Sequence, residues 1–228
     1  MAVRIGHASI DENGRAAGGT AGDQTGKELC IRNWYAKGWK VLLRAKDPTV
    51  RKRIAASCIA ACNNENLGYD QSGRNTGLQE AKKVGWEFSK ITKPAEFDCS
   101  SLASACVQAA GVNVWDGGNA PTTSTLEYVL TATGAFEALR DSKYLTGTDY
   151  LLEGDILLKP SSHVVMVLDD GAKAVYMEEN IPVYYSVRLP QMTKGMKGDT
   201  VKVMQQLLLA KGYELPKFGA DGDFGAET

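Results

Sequence analysis

The stretch Phe97-Asp98-Cys99-Ser100-Ser101 runs into Leu102-Ala-Ser-Ala-Cys-Val-Gln-Ala-Ala-Gly111, a segment of small side chains closed by a glycine. Such a segment predicts a helix that packs closely against a sheet and stops at a C-cap glycine. Its N-terminus places Cys99 where unsatisfied backbone N–H groups stabilise a thiolate. Sixty-four positions later His163 opens Val164-Val-Met-Val-Leu168, an apolar strand pattern. An imidazole beside a thiol takes its proton, so these two positions point to nucleophilic thiol chemistry.

Gly154-Asp155-Ile-Leu-Leu-Lys159 reads as the strand before His163, with Pro160-Ser-Ser as the connection. Asp169-Asp170-Gly171 reads as a hairpin turn, and Ala174-Val-Tyr-Met177 as the strand returning beside His163. Lys40-Val-Leu-Leu-Arg44 is a further strand pattern. Asp47 before Pro48 is an N-cap and N1 pair, opening a helix to Cys62 with Val50, Ile54, Cys58, Ile59 and Cys62 on one face. The fold class that follows is α+β, a nucleophile-bearing helix on an antiparallel sheet. The order of helix thiol before strand histidine is the papain-like one.

Five cysteines (Cys30, Cys58, Cys62, Cys99, Cys106) form an odd set, and Met1-Ala-Val-Arg-Ile-Gly-His7 has no apolar signal core. Reduced thiols made in a cytoplasm are the expectation. Cys58, Cys62 and Cys106 lie on apolar helix faces and read as core residues, with too few partners for zinc. No Walker loop, dinucleotide fingerprint or metal-ligand cluster is present, so no metal and no cofactor is expected. Net charge is −1, which gives no electrostatic case for a nucleic-acid partner. No apolar run reaches membrane-spanning length, so no membrane insertion is expected.

The character changes near Arg188-Leu-Pro190, dividing the chain into 1–187 and 188–228. Asp199 or Thr200 caps a predicted helix with Val201, Met204, Gln205 and Leu208 on one face, stopped by Gly212. Gly195, Gly198, Val201, Gln205, Leu208, Gly212, Tyr213, Asp221, Gly222, Phe224, Gly225 and Thr228 resemble the first half of the small helical peptidoglycan-binding module of cell-wall hydrolases. The resemblance implies a partial wall-binding module, since the sequence ends where the family's next helix begins.

In the larger part, Asp98-Cys99-Ser100-Ser101, Gly154-Asp155-Ile156 and His163-Val-Val-Met-Val resemble the NlpC-type cell-wall cysteine peptidases and their CHAP relatives. Ser101 stands where those families carry glycine. Gly68-Tyr69-Asp70 is similar to the family segment whose tyrosine lies beside the thiol. Gly6-His-Ala-Ser-Ile-Asp-Glu-Asn-Gly14, Gly22-Asp-Gln-Thr-Gly26 and Ile31-Arg-Asn-Trp-Tyr35 resemble a bacteriophage or prophage endolysin subgroup.

The resemblance implies a peptidoglycan hydrolase that cleaves an amide bond with Cys99 as nucleophile and His163 as acid–base. It implies that the Cys99 N–H and the Tyr69 hydroxyl hold the oxyanion, and that Asp98 and Ser100 grip a free stem-peptide amine. The third residue, which orients His163, stays open between Glu178, Glu179 or Asn180 after the returning strand and Asp23 or Gln24 in the glycine-flanked loop. His7 is set aside as structural or exposed. The peptidoglycan of a bacterial wall is the implied partner, reached after release by a separate holin-like protein. A stem-peptide endopeptidase is the leading reading. The alternatives are an N-acetylmuramoyl-L-alanine amidase, a transferase on the same scaffold, and a non-catalytic wall-binding protein. Trp34, Tyr35, Trp39, Trp86 and Trp115 allow either a sugar groove or core packing.

Overall fold

The computed structural model describes residues 2–174, 192–210 and 212–225. Two compact units divide the chain, Met1–Asn180 and Ile181–Thr228. The expected boundary at 187/188 lies outside the described residues.

The larger unit is α+β. Strands β1 (Arg4–Ala8), β2 (Leu29–Asn33), β3 (Val41–Ala45), β6 (Phe136–Leu139), β7 (Ile156–Lys159) and β8 (His163–Val167) form one antiparallel sheet in the order β2-β1-β8-β7-β3-β6. A second, parallel pair joins β4 (Leu67–Tyr69) to β5 (Ala95–Phe97). Helices α1 (Pro48–Cys62), α2 (Thr76–Lys83), α3 (Cys99–Ala109), α4 (Leu126–Ala132) and α5 (Ser142–Leu145) complete the unit.

The central strands are largely apolar because both faces of the sheet are covered. Val41, Leu43, Ile156, Leu158, Val164 and Met166 join the core that contains α1 and α3. Their alternating neighbours Leu42, Leu157, Val165 and Val167 join a second cluster with Val3, Ile5, Trp39 and Tyr144. One period-two pattern therefore feeds two cores. Helix α1 starts as its sequence predicts: the Asp47 carboxylate accepts the Thr49 N–H at 2.7 Å, and Pro48 occupies the first turn. Cys58 and Cys106 are fully buried in the core, and all five cysteines are free thiols.

The Gly154-Asp155 motif is part of the scaffold. Gly154 has φ +84°, and a Cβ there would lie 2.0 Å from the Arg51 carbonyl oxygen of α1. Only glycine allows that approach. Asp155 is fully buried and takes Arg44 in a two-pronged ion pair, Nε to Oδ1 at 2.8 Å and Nη2 to Oδ2 at 2.6 Å. Its Oδ2 also accepts the Leu152 N–H at 2.8 Å. The motif thus ties β7 to β3 and α1, at the root of the β7–β8 hairpin that carries His163.

The chain leaves β8 differently from the expected hairpin. β8 already has β7 on one side and β1 on the other. Residues 169–174 turn back instead: Asp169 pairs with Arg4, and the Gly171 N–H donates to the Leu151 carbonyl at 2.8 Å. Residues 175–177, the expected returning strand, lie outside the described residues.

In the smaller unit, α6 (Asp199–Ala210) buries Val201 and Gln205, as the sequence pattern predicts. Gln205 stitches the glycine-rich loop to the helix. Its Oε1 accepts the Gly222 N–H at 2.7 Å, and its Nε2 donates to Asp221 Oδ1 at 2.9 Å.

Candidate active site

Cys99 is the first residue of α3. Asp98 caps the helix by accepting the Ser101 N–H at 2.7 Å, while the Ser101 hydroxyl accepts the Asp98 N–H at 2.9 Å. Ser101 is half of a capping box. The cap fixes the entry of the chain and hence the direction of the thiol.

Cys99 is buried, and its sulfur lies against the backbone N–H groups of Val164 and Ser100. Its pKa is nonetheless pushed up to about 11, first by burial and then by the adjacent Asp98 carboxylate. This corrects the expectation that the helix N-terminus maintains a thiolate. The N–H groups act in that direction, and burial outweighs them.

His163 opens β8, paired across the hairpin with Lys159. Nε2 of His163 lies 2.8 Å from Nδ1 of His7, and both rings are buried. Burial lowers the His163 pKa to about 4, with Lys37 adding to the shift and Asp98 opposing it. Burial also lowers His7 to about 3, helped by His163, Arg32 and Lys37. Trp39 stacks on His163 with ring centroids 6.4 Å apart, and Tyr35 stands 6.3 Å from His7. Trp39 is 4% exposed, so it walls the imidazoles and is not an open sugar platform. Both rings and the thiol are therefore neutral at pH 7. Among the described residues no hydrogen bond joins the thiol to His163, whose Nδ1 is the nitrogen left open.

His7 is the residue that the sequence reading set aside. It lies on β1, which runs antiparallel beside β8. The neighbour expected from the chain after His163 comes instead from the N-terminus. Two signals pointed there: the strand pattern Arg4–Ala8, and the fact that the chain has only two histidines.

The other candidates fall into two groups. Tyr69 is buried, and its hydroxyl accepts from Gln71 Nε2 at 3.1 Å, which leaves its own proton to donate. Burial raises its pKa to about 12, so that proton is retained. Asp98 and Ser100 are already engaged. Arg74, a residue not singled out from the sequence, donates from Nε to Asp98 Oδ2 at 2.6 Å and from Nη2 to the Ser100 hydroxyl at 2.9 Å. Arg74 also reaches the carbonyls of Ala120 and Pro121 at 2.8 and 2.7 Å. With one oxygen on Arg74 Nε and the other on the α3 cap, Asp98 is not an open anionic hook.

Asp23 and Gln24 are spent within their own loop. Asp23 accepts four backbone N–H groups, from Thr25, Gly26, Lys27 and Glu28. Gln24 donates to the Ala21 and Gly22 carbonyls. Neither side chain reaches His163. The close approach allowed by glycine is real but is made to β4: a Cβ on Gly68 would lie 2.4 Å from the Gly22 carbonyl oxygen. Glu178, Glu179 and Asn180 lie outside the described residues. Among the described residues no group of three His, Cys, Asp or Glu side chains is placed to hold a metal ion, and no helix is long and apolar enough to cross a membrane.

A family profile covers this unit, and shorter matches to curated proteins are found as well. The profile of the endolysin-like domain family matches residues 5–174. A probable N-acetylmuramoyl-L-alanine amidase of Bacillus licheniformis is 54% identical over 37 residues, 16% of this chain and 10% of that protein. The N-acetylmuramoyl-L-alanine amidase CwlL of Bacillus licheniformis is 49% identical over 37 residues, with the same shares. The matched segment thus spans about a tenth of the length of these curated relatives. No solved structure matches.

Proposed function

This chain belongs to the endolysin-like domain family, and we propose that it is a peptidoglycan hydrolase with Cys99 as nucleophile, His163 as general base and His7 as the residue that orients His163. The observation that carries the reading is the buried His7–His163 contact on the strand whose Val164 N–H meets the Cys99 sulfur at the start of α3. Two neutral imidazoles in contact are costly to bury, and a buried thiol at a capped helix start gives them a task. The arrangement is papain-like in kind: a helix presents the thiol, an antiparallel sheet presents the base, and the next strand presents the orienting group.

The resting pair is neutral, so proton transfer accompanies attack. The Cys99 sulfur bonds to the amide carbon as its proton passes to Nδ1 of His163, and the carbonyl π pair moves to oxygen. The Cys99 N–H and the free proton of the Tyr69 hydroxyl serve as oxyanion donors. The tetrahedral species collapses with the C–N bond breaking, and His163 returns the proton to the leaving amine. Water then repeats the sequence on the thioester and releases Cys99.

A second reading concerns the bond. A stem-peptide endopeptidase that requires a free amine needs an open carboxylate, and Asp98 is held by Arg74. That pair favours substrates with no free amine at this place. An N-acetylmuramoyl-L-alanine amidase fits, as does an endopeptidase acting on intact stems. Purified walls incubated with wild type and with Cys99→Ala, followed by mass spectrometry of the fragments, test both points. Release by wild type alone is expected. Equal release by both proteins removes Cys99 as nucleophile, and the fragment masses tell amidase from endopeptidase.

A further inference from the structure

The two imidazoles do not end the hydrogen-bond chain. Cys30 faces His7 across β2 and β1, and its Sγ lies 3.5 Å from Nε2 of His7. His7 is therefore held at both ring nitrogens, by His163 at Nδ1 and by Cys30 at Nε2.

With both rings neutral, the chain has two proton arrangements. In the first, His163 donates from Nε2 to Nδ1 of His7, and His7 donates from its own Nε2 to the Cys30 sulfur. Nδ1 of His163 is then bare. In the second, the Cys30 S–H donates to Nε2 of His7, and His7 donates from Nδ1 to Nε2 of His163. The proton of His163 then sits on Nδ1. Only the first leaves a nitrogen able to receive the Cys99 proton.

We propose that Cys30 is a positioning residue whose sulfur accepts the His7 N–H and so selects the tautomer in which Nδ1 of His163 is the base. The proposal rests on the assignment of Cys99 and His163 given above. Cys30 is half-buried, which lets its S–H turn to water while sulfur lone pairs face the ring. Burial raises its pKa, so the acceptor is a thiol and no thiolate draws the proton off His7. A thiol is a weak acceptor and a weak donor. It holds the tautomer without adding charge beside an imidazolium that forms during the reaction. Once His163 is protonated, Nε2 still donates to His7 and His7 still donates to sulfur, so the chain needs no rearrangement between steps.

The chain's two histidines make the test direct. Protein labelled with 15N-histidine has four ring nitrogens, and multiple-bond 15N–1H correlation at pH 7 identifies which carry protons. Wild type is expected to show both rings protonated at Nε2. Cys30→Val, which removes the acceptor and suits a strand, is expected to move His7 toward the Nδ1–H form. Its kcat on purified peptidoglycan should fall about 3- to 10-fold, the worth of one modest hydrogen bond, with KM unchanged. Cys30→Ser, which keeps an acceptor, should restore both tautomer and rate. A wild-type spectrum with the His7 proton on Nδ1 overturns the proposal, as does a Cys30→Val protein with unaltered tautomers and kcat. Should wild type release nothing from walls, the hydrolase reading fails by itself, while the ring spectra still decide the tautomer.

Discussion

Arg74 grips Asp98 through Nε at 2.6 Å, while the same carboxylate caps the helix that begins with Cys99. The two side chains are largely buried, at 14% and 12% exposure. One ion pair therefore serves the fold and, on the proposed function, occupies the carboxylate that would otherwise meet a free substrate amine.

Removing Arg74 separates these roles. Arg74→Met strands the Asp98 charge and should cost about 2–3 kcal/mol, below the range for fully buried pairs because some water remains. Denaturant unfolding measures that loss. Asp98 would also become open to an ammonium group, so the rate on stem fragments with a free terminal amine should rise relative to intact wall. An unchanged ratio would mean that Asp98 does not face the substrate.

The His7–His163 contact predicts a different signature. His7→Ala leaves Nε2 of His163 without its partner and frees the ring to rotate, so kcat should fall about 100-fold. His7→Gln and His7→Asn place a side-chain oxygen in the same direction and should recover part of that loss. Steady-state kinetics on a wall suspension decides. Equal loss in all three variants would assign His7 to packing alone.

The part of the site visible in the sequence is local, and the hidden part is set by topology. Cys99 could be located from its cap and small-residue helix, and His163 from the strand it opens. Those signals lie within a dozen residues of each position. The partner of His163 depends on which strand completes the sheet beside β8. That strand is β1, from the opposite end of the unit, and nothing in the sequence near His163 reports it. Arg74 was hidden for a related reason. It lies in the turn after β4, and its meeting with Asp98 depends on the parallel β4–β5 pairing. The Gly154-Asp155 motif carries part of the sequence resemblance, but its work is a buried ion pair with Arg44 and a close pass over α1. Asp23 shows the reverse error. Its flanking glycines did signal a close approach, and the approach is to Gly68 instead of to the histidines.

Glu96 adds a pH dependence to stability. Burial, with Glu28, Asp70 and Glu12 nearby, raises its pKa from 4.5 to about 8, while the Gly22 N–H opposes the shift. Its Oε2 is buried without a hydrogen-bond partner. Below the unfolded value the carboxyl is protonated in both states and contributes no pH dependence. Between there and about pH 8 the unfolded chain gives up the proton and the folded chain keeps it. Stability is therefore lost as pH rises through this window. Glu96→Gln keeps an oxygen for the Gly22 N–H and removes the titration. Its melting temperature should match wild type near pH 4 and exceed it increasingly toward pH 8. A gap that stays constant across the window would assign the effect to packing.

Under the proposed mechanism, a neutral thiol and a neutral imidazole set the shape of the activity profile. An ion-pair resting state loses activity when imidazolium loses its proton, which puts an alkaline fall in the mildly alkaline range. Here His163 titrates at about 4 and Cys99 at about 11. The free enzyme's kcat/KM should rise as His163 becomes neutral, stay level through neutral pH, and decline only as the thiol ionises without a proton left for the leaving amine. The acid limb tests the cause as well as the value. Trp39, stacked on His163, keeps water from the ring, and water around an imidazolium is what would restore an ordinary histidine pKa. Trp39→Ala should move the acid limb upward from pH 4 toward 6.5, the model value from which burial displaces His163. The alkaline limb should move less, because the Cys99 shift comes from its own burial and from Asp98. Limbs that shift together would show that one coupled ion pair, and not two separately buried neutral groups, sets the profile.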